Sequence, residues 1–167
     1  MLKDILAISG FGGLYKYLKK SHNGIIVENL ETQKRMNADA TAQVSALEDI
    51  SVYTNEGEMV LEKVFKAIYE KENGEETLNP KKASGKELEK YFEEIIPDFD
   101  DERVYKSDMK KILKWYNILH KLDMLNFDEQ ESEEETGQKT DEKKDGEKTD
   151  EEKQGSKTDD PGNQDKS

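Results

Sequence analysis

The chain has 167 residues, with 39 acidic and 26 basic side chains, a formal net charge of −13 and no cysteine. The lack of cysteine excludes disulfides, thiolate metal sites and thiol nucleophiles. Most of the net negative charge lies in the last 40 residues, which contain 16 acidic residues and 7 lysines, whereas residues 1–127 carry a net charge of only −4. The part of the chain that contains apolar residues is therefore close to neutral, which argues against strong non-specific binding of nucleic acid.

Residues 1–54 have the pattern of a small β-domain. Short runs of apolar and β-forming residues predict strands, with polar or glycine-containing turns between them. The pair Asn23-Gly24 predicts a type I′ hairpin turn between the second and third strands. A single helical turn is predicted over 44–49, before the last strand. The five predicted strands lie at 5–8, 14–20, 25–30, about 34–40 and 50–53.

After this region, the spacing of the apolar residues changes to that of an amphipathic α-helix. Apolar residues at 61, 64, 65 and 68 form one stripe and predict a helix over about 58–72. Asn73-Gly74 is typical of the end of a helix, because these residue types accept the left-handed conformation of a C-terminal cap. Residues 73–83 are polar and predict a linker.

Two further helices are predicted after this linker. Ser84 and Glu87 have the spacing of a capping box, in which each side chain binds the backbone amide of the other residue. Pro97 stops this second helix. Ser107 is the predicted N-cap of a third helix that runs to about residue 122. A short acidic loop joins these amphipathic helices, so we expect them to form a helical hairpin.

We predict an α+β protein with a disordered C-terminal tail. Five short strands with one helical turn indicate an SH3-like or Tudor-like barrel, and a curled five-stranded sheet of another topology is the alternative. The last 40 residues contain no Ala, Val, Ile, Leu, Met, Phe, Trp or Tyr, so they cannot offset the entropy cost of becoming ordered. The predicted parts are a small barrel (1–54), a connecting amphipathic helix (55–73), a helical hairpin domain (84–127) and an acidic tail (128–167).

The tail has a nine-residue near-repeat, in which Lys-Thr-Asp triplets begin at residues 139, 148 and 157. Its excess of one charge and its regular glycines are typical of an extended spacer or solubility segment. Competition with acidic ligands for a basic patch on the folded part is a second hypothesis for this segment.

No residue pattern of a known catalytic or metal site is present. Residues 10–13 (GFGG) follow a strand, but the third glycine of a dinucleotide-binding loop is replaced by Tyr15, so a simple turn is predicted. The acidic run 98–102 does not fit a calcium-binding loop, because Arg103 stands where that loop needs glycine. His22 and His120 are the only histidines. We therefore expect a non-enzymatic protein without metal or cofactor.

The best candidate binding surface lies on the second predicted strand, where tyrosines and lysines alternate. Small barrels often bind peptides or bases through an exposed aromatic patch. The alternative is that one tyrosine face belongs to the core and the lysines only face solvent. The lysines at 110, 114 and 121 of the third helix form a second basic face. The candidate surface consists of Tyr15, Lys16, Tyr17, Lys19, Lys20, Lys34 and Arg35.

Several short runs carry a resemblance to a known family. They are ILAISG at 5–10, GLYK at 13–16, SALEDIS at 45–51 and KAIYEK at 66–71, followed by SDMKKILKWYN at 107–117. Over residues 1–125 the chain resembles an uncharacterised family of Bacteroidota proteins with a domain of unknown function. The resemblance implies a small β-domain followed by a helical domain. It implies no catalytic or ligand-binding residue.

These observations predict a binding or adaptor module that contacts another protein through the barrel or the helical hairpin. The alternative is a nucleic-acid-binding regulator that uses the tyrosine-lysine strand or the lysine face of the third helix. We expect no signal peptide and no membrane span, because apolar runs are only a few residues long, and hence a cytoplasmic protein. The oligomeric state is not indicated by the sequence.

Overall fold

Seven strands, a short 3-10 helix and three α-helices make up the computed structural model, which describes residues 1–127. The predicted disordered tail, 128–167, lies outside the described residues. The α+β class is confirmed. The strands are β1 (Ile5–Ile8), β2 (Tyr15–Ser21), β3 (Gly24–Asn29), β4 (Arg35–Asp39), β5 (Val44–Ala46), β6 (Ser51–Thr54) and β7 (Gly57–Val60). The helices are α1 (Leu61–Lys71), α2 (Gly85–Ile95) and α3 (Lys106–Lys121), and the 3-10 helix is Leu47–Asp49.

The first five strands form one antiparallel sheet with the order β4-β3-β2-β1-β5. Within residues 1–127, β4 and β5 each have one neighbour in this sheet, so the sheet is open and the predicted SH3-like or Tudor-like barrel is not confirmed. The predicted last strand, 50–53, lies in β6, which pairs with β7 and not with the first sheet. The 3-10 helix separates the two sheets, and its Leu47 is fully buried.

The β2–β3 hairpin differs from the predicted turn. Ser21 pairs with Gly24, so the two loop residues are His22 and Asn23, and neither has a positive φ angle. The type I′ turn centred on Asn23-Gly24 is therefore wrong. Gly24 has another function: a Cβ atom on it would lie 1.9 Å from the carbonyl oxygen of Ala38. Glycine is required at this position because β4 approaches the backbone of β3 closely.

The buried apolar side chains form two clusters, and the larger one joins the sheet to the helices. Strand β1 separates two clusters, because Ile5 and Ala7 contact the larger cluster whereas Leu6 and Ile8 belong to the smaller one. Residues from the first 47 positions are thus buried together with side chains of all three helices. The larger cluster includes Leu2, Ile5, Leu14, Leu47, Val52, Phe65, Phe92 and Tyr116.

The helices agree with their apolar stripes, with some differences at their ends. The capping box of α2 is confirmed: the Ser84 hydroxyl accepts a hydrogen bond from the Glu87 amide, and the Ser84 amide donates to the Glu87 carboxylate at 2.7 Å. This hydrogen bond from the Ser84 backbone lowers the pKa of Glu87. Helix α1 begins at Leu61 and not at 58, because the preceding residues pair with β6 as strand β7.

The start of α3 is not capped as predicted. Its N-cap residue is Tyr105, whose side chain makes no capping hydrogen bond, and Ser107 already lies inside the helix. The Tyr105 carbonyl accepts hydrogen bonds from the amides of Asp108 and Met109. The Tyr105 ring is 65% exposed, so its apolar surface adds little to the core.

We expect Tyr105→Ser to stabilise the protein by about 1 kcal/mol, because a serine hydroxyl accepts a hydrogen bond from an unpaired amide of the first helical turn. Urea denaturation of the full chain measures this change. Ser107→Ala is the control, and we expect its free energy of unfolding to stay within about 0.5 kcal/mol of wild type. Equal stability of Tyr105→Ser and wild type would contradict the assignment of the N-cap.

The polar segment 73–83, predicted as a linker, is held against α3 by three side chains. The Nε2 atom of His120 donates to the Gly74 carbonyl at 2.9 Å, and the Tyr116 hydroxyl donates to the Glu75 carbonyl at 3.1 Å. Asn117 accepts from the Thr77 amide at 3.0 Å. These bonds satisfy backbone groups that would otherwise be unpaired in a partly buried segment.

Stability should fall at alkaline pH because of the buried tyrosines. Burial raises the pKa of Tyr116 to about 12, and burial also raises the pKa of Tyr91. A tyrosine in the unfolded chain ionises near about pH 10. Above that pH the unfolded chain loses the proton that the folded chain retains, so the free energy of unfolding decreases between about pH 10 and 12. Below about pH 10 the stabilisation is fully present.

Urea denaturation of wild type and Tyr116→Phe at a series of pH values from 8 to 11.5 would measure this effect. We expect the variant to be less stable than wild type at pH 8, since it lacks the hydrogen bond to Glu75. Its stability should decrease less steeply with pH, because one raised pKa has been removed. Parallel pH profiles for the two proteins would show that Tyr116 does not cause the decrease.

Candidate binding groove

The structure places the predicted tyrosine-lysine surface on β2 and its neighbours, but Tyr15 belongs to the core. Tyr15 is buried in the smaller cluster, and its hydroxyl donates to the Gly12 carbonyl at 3.1 Å. Tyr17, Lys16, Lys19 and Lys20 are at least partly accessible on β2. Lys34 and Arg35 are exposed where the chain enters β4.

A β-bulge separates the accessible residues of this surface. The register between β2 and β3 shifts between Tyr17 and Lys19, so Leu18 is the extra residue. Lys16 and Lys19 are in register with Glu28 and Ile26, while Tyr17 and Lys20 are in register with Val27 and Ile25.

Residues in register across antiparallel strands share a face of the sheet, and successive residues alternate between faces. Lys16 and Lys19 therefore lie on the face of Arg35, which is itself paired with Glu28 at 2.9 Å. Tyr17 and Lys20 lie on the opposite face. The structure thus does not bring the predicted cations together beside an exposed tyrosine.

A different surface joins the sheet to the helices. We name it the seam groove: it consists of two adjoining cavities along α3, with volumes of about 390 Å³ and about 210 Å³. The first lies between α3 and the glycine-rich turn after β1, and the second lies between α3 and β6. Ile50, Lys111 and Trp115 line both cavities.

Aromatic side chains lie along the seam groove. Phe11, in the glycine-rich turn, lines the first cavity and is 52% exposed. Tyr53, on β6, lines the second cavity and is 42% exposed. Trp115, the single tryptophan of the chain, is partly buried between them. Exposed aromatic rings beside a concave surface are typical of recognition sites, because they offer a large rigid contact area.

Two of the cations along the groove are already paired. The Nζ atom of Lys111 lies 3.6 Å from Asp108, and the Nε atom of Arg103 lies 2.7 Å from Asp100. The Arg103 guanidinium also stacks over the Tyr53 ring, 4.5 Å from its centroid. The hydrogen bond from Arg103 lowers the pKa of the Asp100 carboxyl.

Lys114 differs from these cations, because it forms no ion pair with any residue in the range 1–127. Its Nζ atom lies 3.6 Å from the position that a Cβ atom on Gly12 would occupy. The ammonium group therefore lies against the backbone of the glycine-rich turn. A Cβ atom on Gly12 would make an ordinary van der Waals contact with this ammonium group.

The acidic loop between α2 and α3 has a structural role. The Asp100 carboxylate accepts hydrogen bonds from the amides of Glu102 and Arg103, in addition to its ion pair. The loop also continues the edge of β6, since the Asp100 amide donates to the Tyr53 carbonyl. In the part of the chain that the structure describes, no group of His, Asp and Glu side chains is arranged to hold a metal ion.

Comparison with known proteins shows the family. Residues 2–47 match the family model "Domain of unknown function (DUF5606)", and residues 50–119 match "Domain of unknown function (DUF6852)". The chain belongs to the family of proteins in which these two domains of unknown function follow one another, as its resemblance to a Bacteroidota family predicted. No curated protein matches the chain.

A solution NMR structure of a protein from Bacteroides vulgatus, a target of the Northeast Structural Genomics Consortium, has this architecture. It is 43% identical to the chain, covers 76% of it and has a TM-score of 0.66, and the match extends over 91% of that protein. The boundary between the two family models falls at the 3-10 helix. Phe11 belongs to the first domain and Trp115 to the second, so the seam groove lies between the two domains.

The sequence contained only part of the signal for this groove. Lys114 was predicted as part of a basic helix face, and residues 10–13 were predicted as a turn. Trp115 lay within the predicted third helix, and no separate role was predicted for it. No local pattern places the turn beside α3, because about 100 residues separate them along the chain. The available hint was Phe11, because a phenylalanine between two glycines does not stabilise a turn.

No helix in the described part of the chain has both the length and the apolar composition that crossing a membrane requires.

Proposed function

We propose that this protein is a non-enzymatic binding module, and that it holds a segment of another protein in the seam groove. The observation that carries the proposal is Phe11, a large apolar side chain that is 52% exposed on a turn and lines the same cavity as Trp115. Leaving such a ring in water costs free energy that a partner recovers on binding. Sites between two domains are frequent binding sites.

Charge favours a protein segment over nucleic acid as the partner. Binding of a nucleic acid depends on several cations that contact successive phosphates. Along the groove, the charges of Lys111 and Arg103 are offset by neighbouring carboxylates. Lys16 and Lys19 lie on the face opposite to Tyr17, so of the three lysines of β2 only Lys20 shares a face with this exposed ring.

Affinity capture with the immobilised full chain tests this function. The starting material is the soluble fraction of the source cells. We choose this fraction because the sequence predicts a cytoplasmic protein. We expect wild type to retain a protein after nuclease treatment, and Phe11→Ser to lose most of it. Tyr105→Ser is the matched control, since it removes an exposed ring that does not line the groove.

Equal retention by Phe11→Ser and wild type would exclude the groove as the binding site. Loss of the retained protein on nuclease treatment would support the alternative, a nucleic-acid-binding regulator. Circular dichroism of both variants before the capture experiment would verify that the fold is unchanged.

A further inference from the structure

The Lys114 ammonium group in the seam groove, which forms no ion pair within residues 1–127, indicates the chemistry of the partner. Lys114 lines the cavity that Phe11 and Trp115 also line. Resting on the proposed function, we infer that the groove binds an acidic and apolar peptide segment, with a carboxylate on Lys114 and a large aliphatic or aromatic side chain against Trp115. The carboxylate and the apolar side chain belong to residues close together in the partner sequence, because Lys114 and Trp115 are adjacent.

The charges around Lys114 favour an ion pair with a carboxylate of the partner. The nearby cation Lys111 is already paired with Asp108, so an incoming carboxylate gains most from Lys114. Glu31 lines a neighbouring cavity together with Lys114, but the two form no ion pair in the described residues. A carboxylate in the groove therefore meets a cation that no side chain of the described region pairs with.

The walls of the same cavity offer apolar surface to a side chain of the partner. Ile50 and Trp115 are partly buried and line both cavities, whereas Phe11 projects from the glycine-rich turn. An apolar side chain of the partner removes these surfaces from water together with its own. Central apolar contacts with a charged contact at their edge are the usual arrangement in protein interfaces.

The acidic tail of this chain meets only half of the requirement. Residues 128–167 contain 16 acidic side chains but no Ala, Val, Ile, Leu, Met, Phe, Trp or Tyr. The composition of the tail supplies carboxylates for Lys114, but it supplies no large apolar side chain to pack against Trp115 or Phe11. We therefore assign the groove to a segment of another protein, and a peptide of the tail sequence serves as a negative probe.

Intrinsic fluorescence reports on the groove directly, because Trp115 is the single tryptophan of the chain. Three six-residue probe peptides without aromatic residues are titrated into the full-length protein. The first alternates Glu and Leu, the second alternates Gln and Leu, and the third alternates Glu and Ser. We expect the Glu-Leu peptide to bind at least roughly tenfold more tightly than either of the others.

Two lysine variants identify the contact. Lys114→Gln should weaken binding of the Glu-Leu peptide roughly tenfold and leave that of the Gln-Leu peptide unchanged. Lys110→Gln is the matched control, since Lys110 is exposed on the same helix and does not line the groove, and we expect no change. Lys114→Glu should prefer a Lys-Leu peptide, which would demonstrate direct charge pairing.

Several results would overturn the inference. One is equal binding of the Glu-Leu and Gln-Leu peptides, and another is an equal effect of Lys114→Gln and Lys110→Gln on binding. Binding of the tail-sequence peptide as tight as that of the Glu-Leu peptide would also overturn it, as would binding of none of the probes. If Phe11→Ser still loses its captured protein, the binding function stands and only the partner chemistry fails. If Phe11→Ser retains that protein, the proposed function fails independently of the peptide results.

Discussion

Replacement of Gly24 by alanine is expected to destabilise the protein by about 3 kcal/mol or more, because the new methyl group collides with the backbone of β4. The Cβ atom would lie 1.9 Å from the Ala38 carbonyl oxygen. Ala38 is buried in the smaller cluster, so β4 cannot move away without opening that cluster. Urea denaturation followed by circular dichroism measures the change.

Gly57→Ala is the matched control for this experiment. Gly57 also stands at the start of the second strand of a hairpin and has the same φ angle of 158°, but no atom lies within 4 Å of its Cβ position. The difference between the two variants therefore measures the contact with β4 alone. Similar losses of stability in both variants would show that backbone conformation, and not this contact, requires glycine at position 24.

Phe65→Ala should lower the free energy of unfolding by about 3–5 kcal/mol, since it leaves a cavity in the centre of the larger cluster. Phe65 is fully buried on α1, and its ring packs against the edge of Tyr116 on α3 with centroids 6.0 Å apart. A domain of this size has a total stability of only about 5–15 kcal/mol. The loss is therefore a large fraction of the total stability, and the variant should unfold at a clearly lower urea concentration than wild type.

The same experiment tests whether the two family domains unfold together. The larger cluster contains Leu2, Ile5 and Leu14 of the first domain beside Phe65 of the second. We expect one transition, with coincident curves from Trp115 fluorescence and from NMR signals of β2 and β3. A sheet that keeps its NMR signals after the fluorescence change would show two independent domains. Tyr105→Ala, which removes an exposed ring, is the control and should change stability by less than about 0.5 kcal/mol.

The proposed function depends on the packing of the two domains against each other. Phe11 reaches the groove from the first domain, while Trp115 and Lys114 reach it from the second. A site of this kind exists only when both domains are folded and packed. Mutations in the shared core should therefore reduce binding as well as stability, even though the core residues do not contact the partner.

Local patterns in the sequence were reliable wherever one short segment contains the whole cause. The capping box at Ser84 and Glu87 was predicted correctly, because its hydrogen bonds connect residues three positions apart. Strand β1 and the body of each helix were also predicted, since their apolar periodicity is a property of the segment itself. The assignment of Ser107 as a cap was wrong because α3 begins at Lys106, two residues before the start that a cap at Ser107 implies.

Local patterns did not predict which strands pair with each other. Residues 50–53 read correctly as a strand, but nothing local indicated that they would pair with residues 57–60. The bulge at Leu18 likewise reverses the faces of β2 beyond that residue: alternation alone puts Lys19 on the face of Tyr17, whereas the observed register puts Lys20 there. The open sheet and the division of the cations between its faces both follow from these pairings.

The sequence was sufficient to establish the α+β class, the three amphipathic helices and the near neutrality of residues 1–127, since each of these is a sum over nearby residues. The seam groove required packing in three dimensions, because Phe11 and Trp115 meet only when the sheet and α3 share one core. Burial also distinguished the two tyrosines of β2, with Tyr15 inside and Tyr17 accessible. Such contacts depend on the free energy of the whole fold, and therefore on residues far apart along the chain.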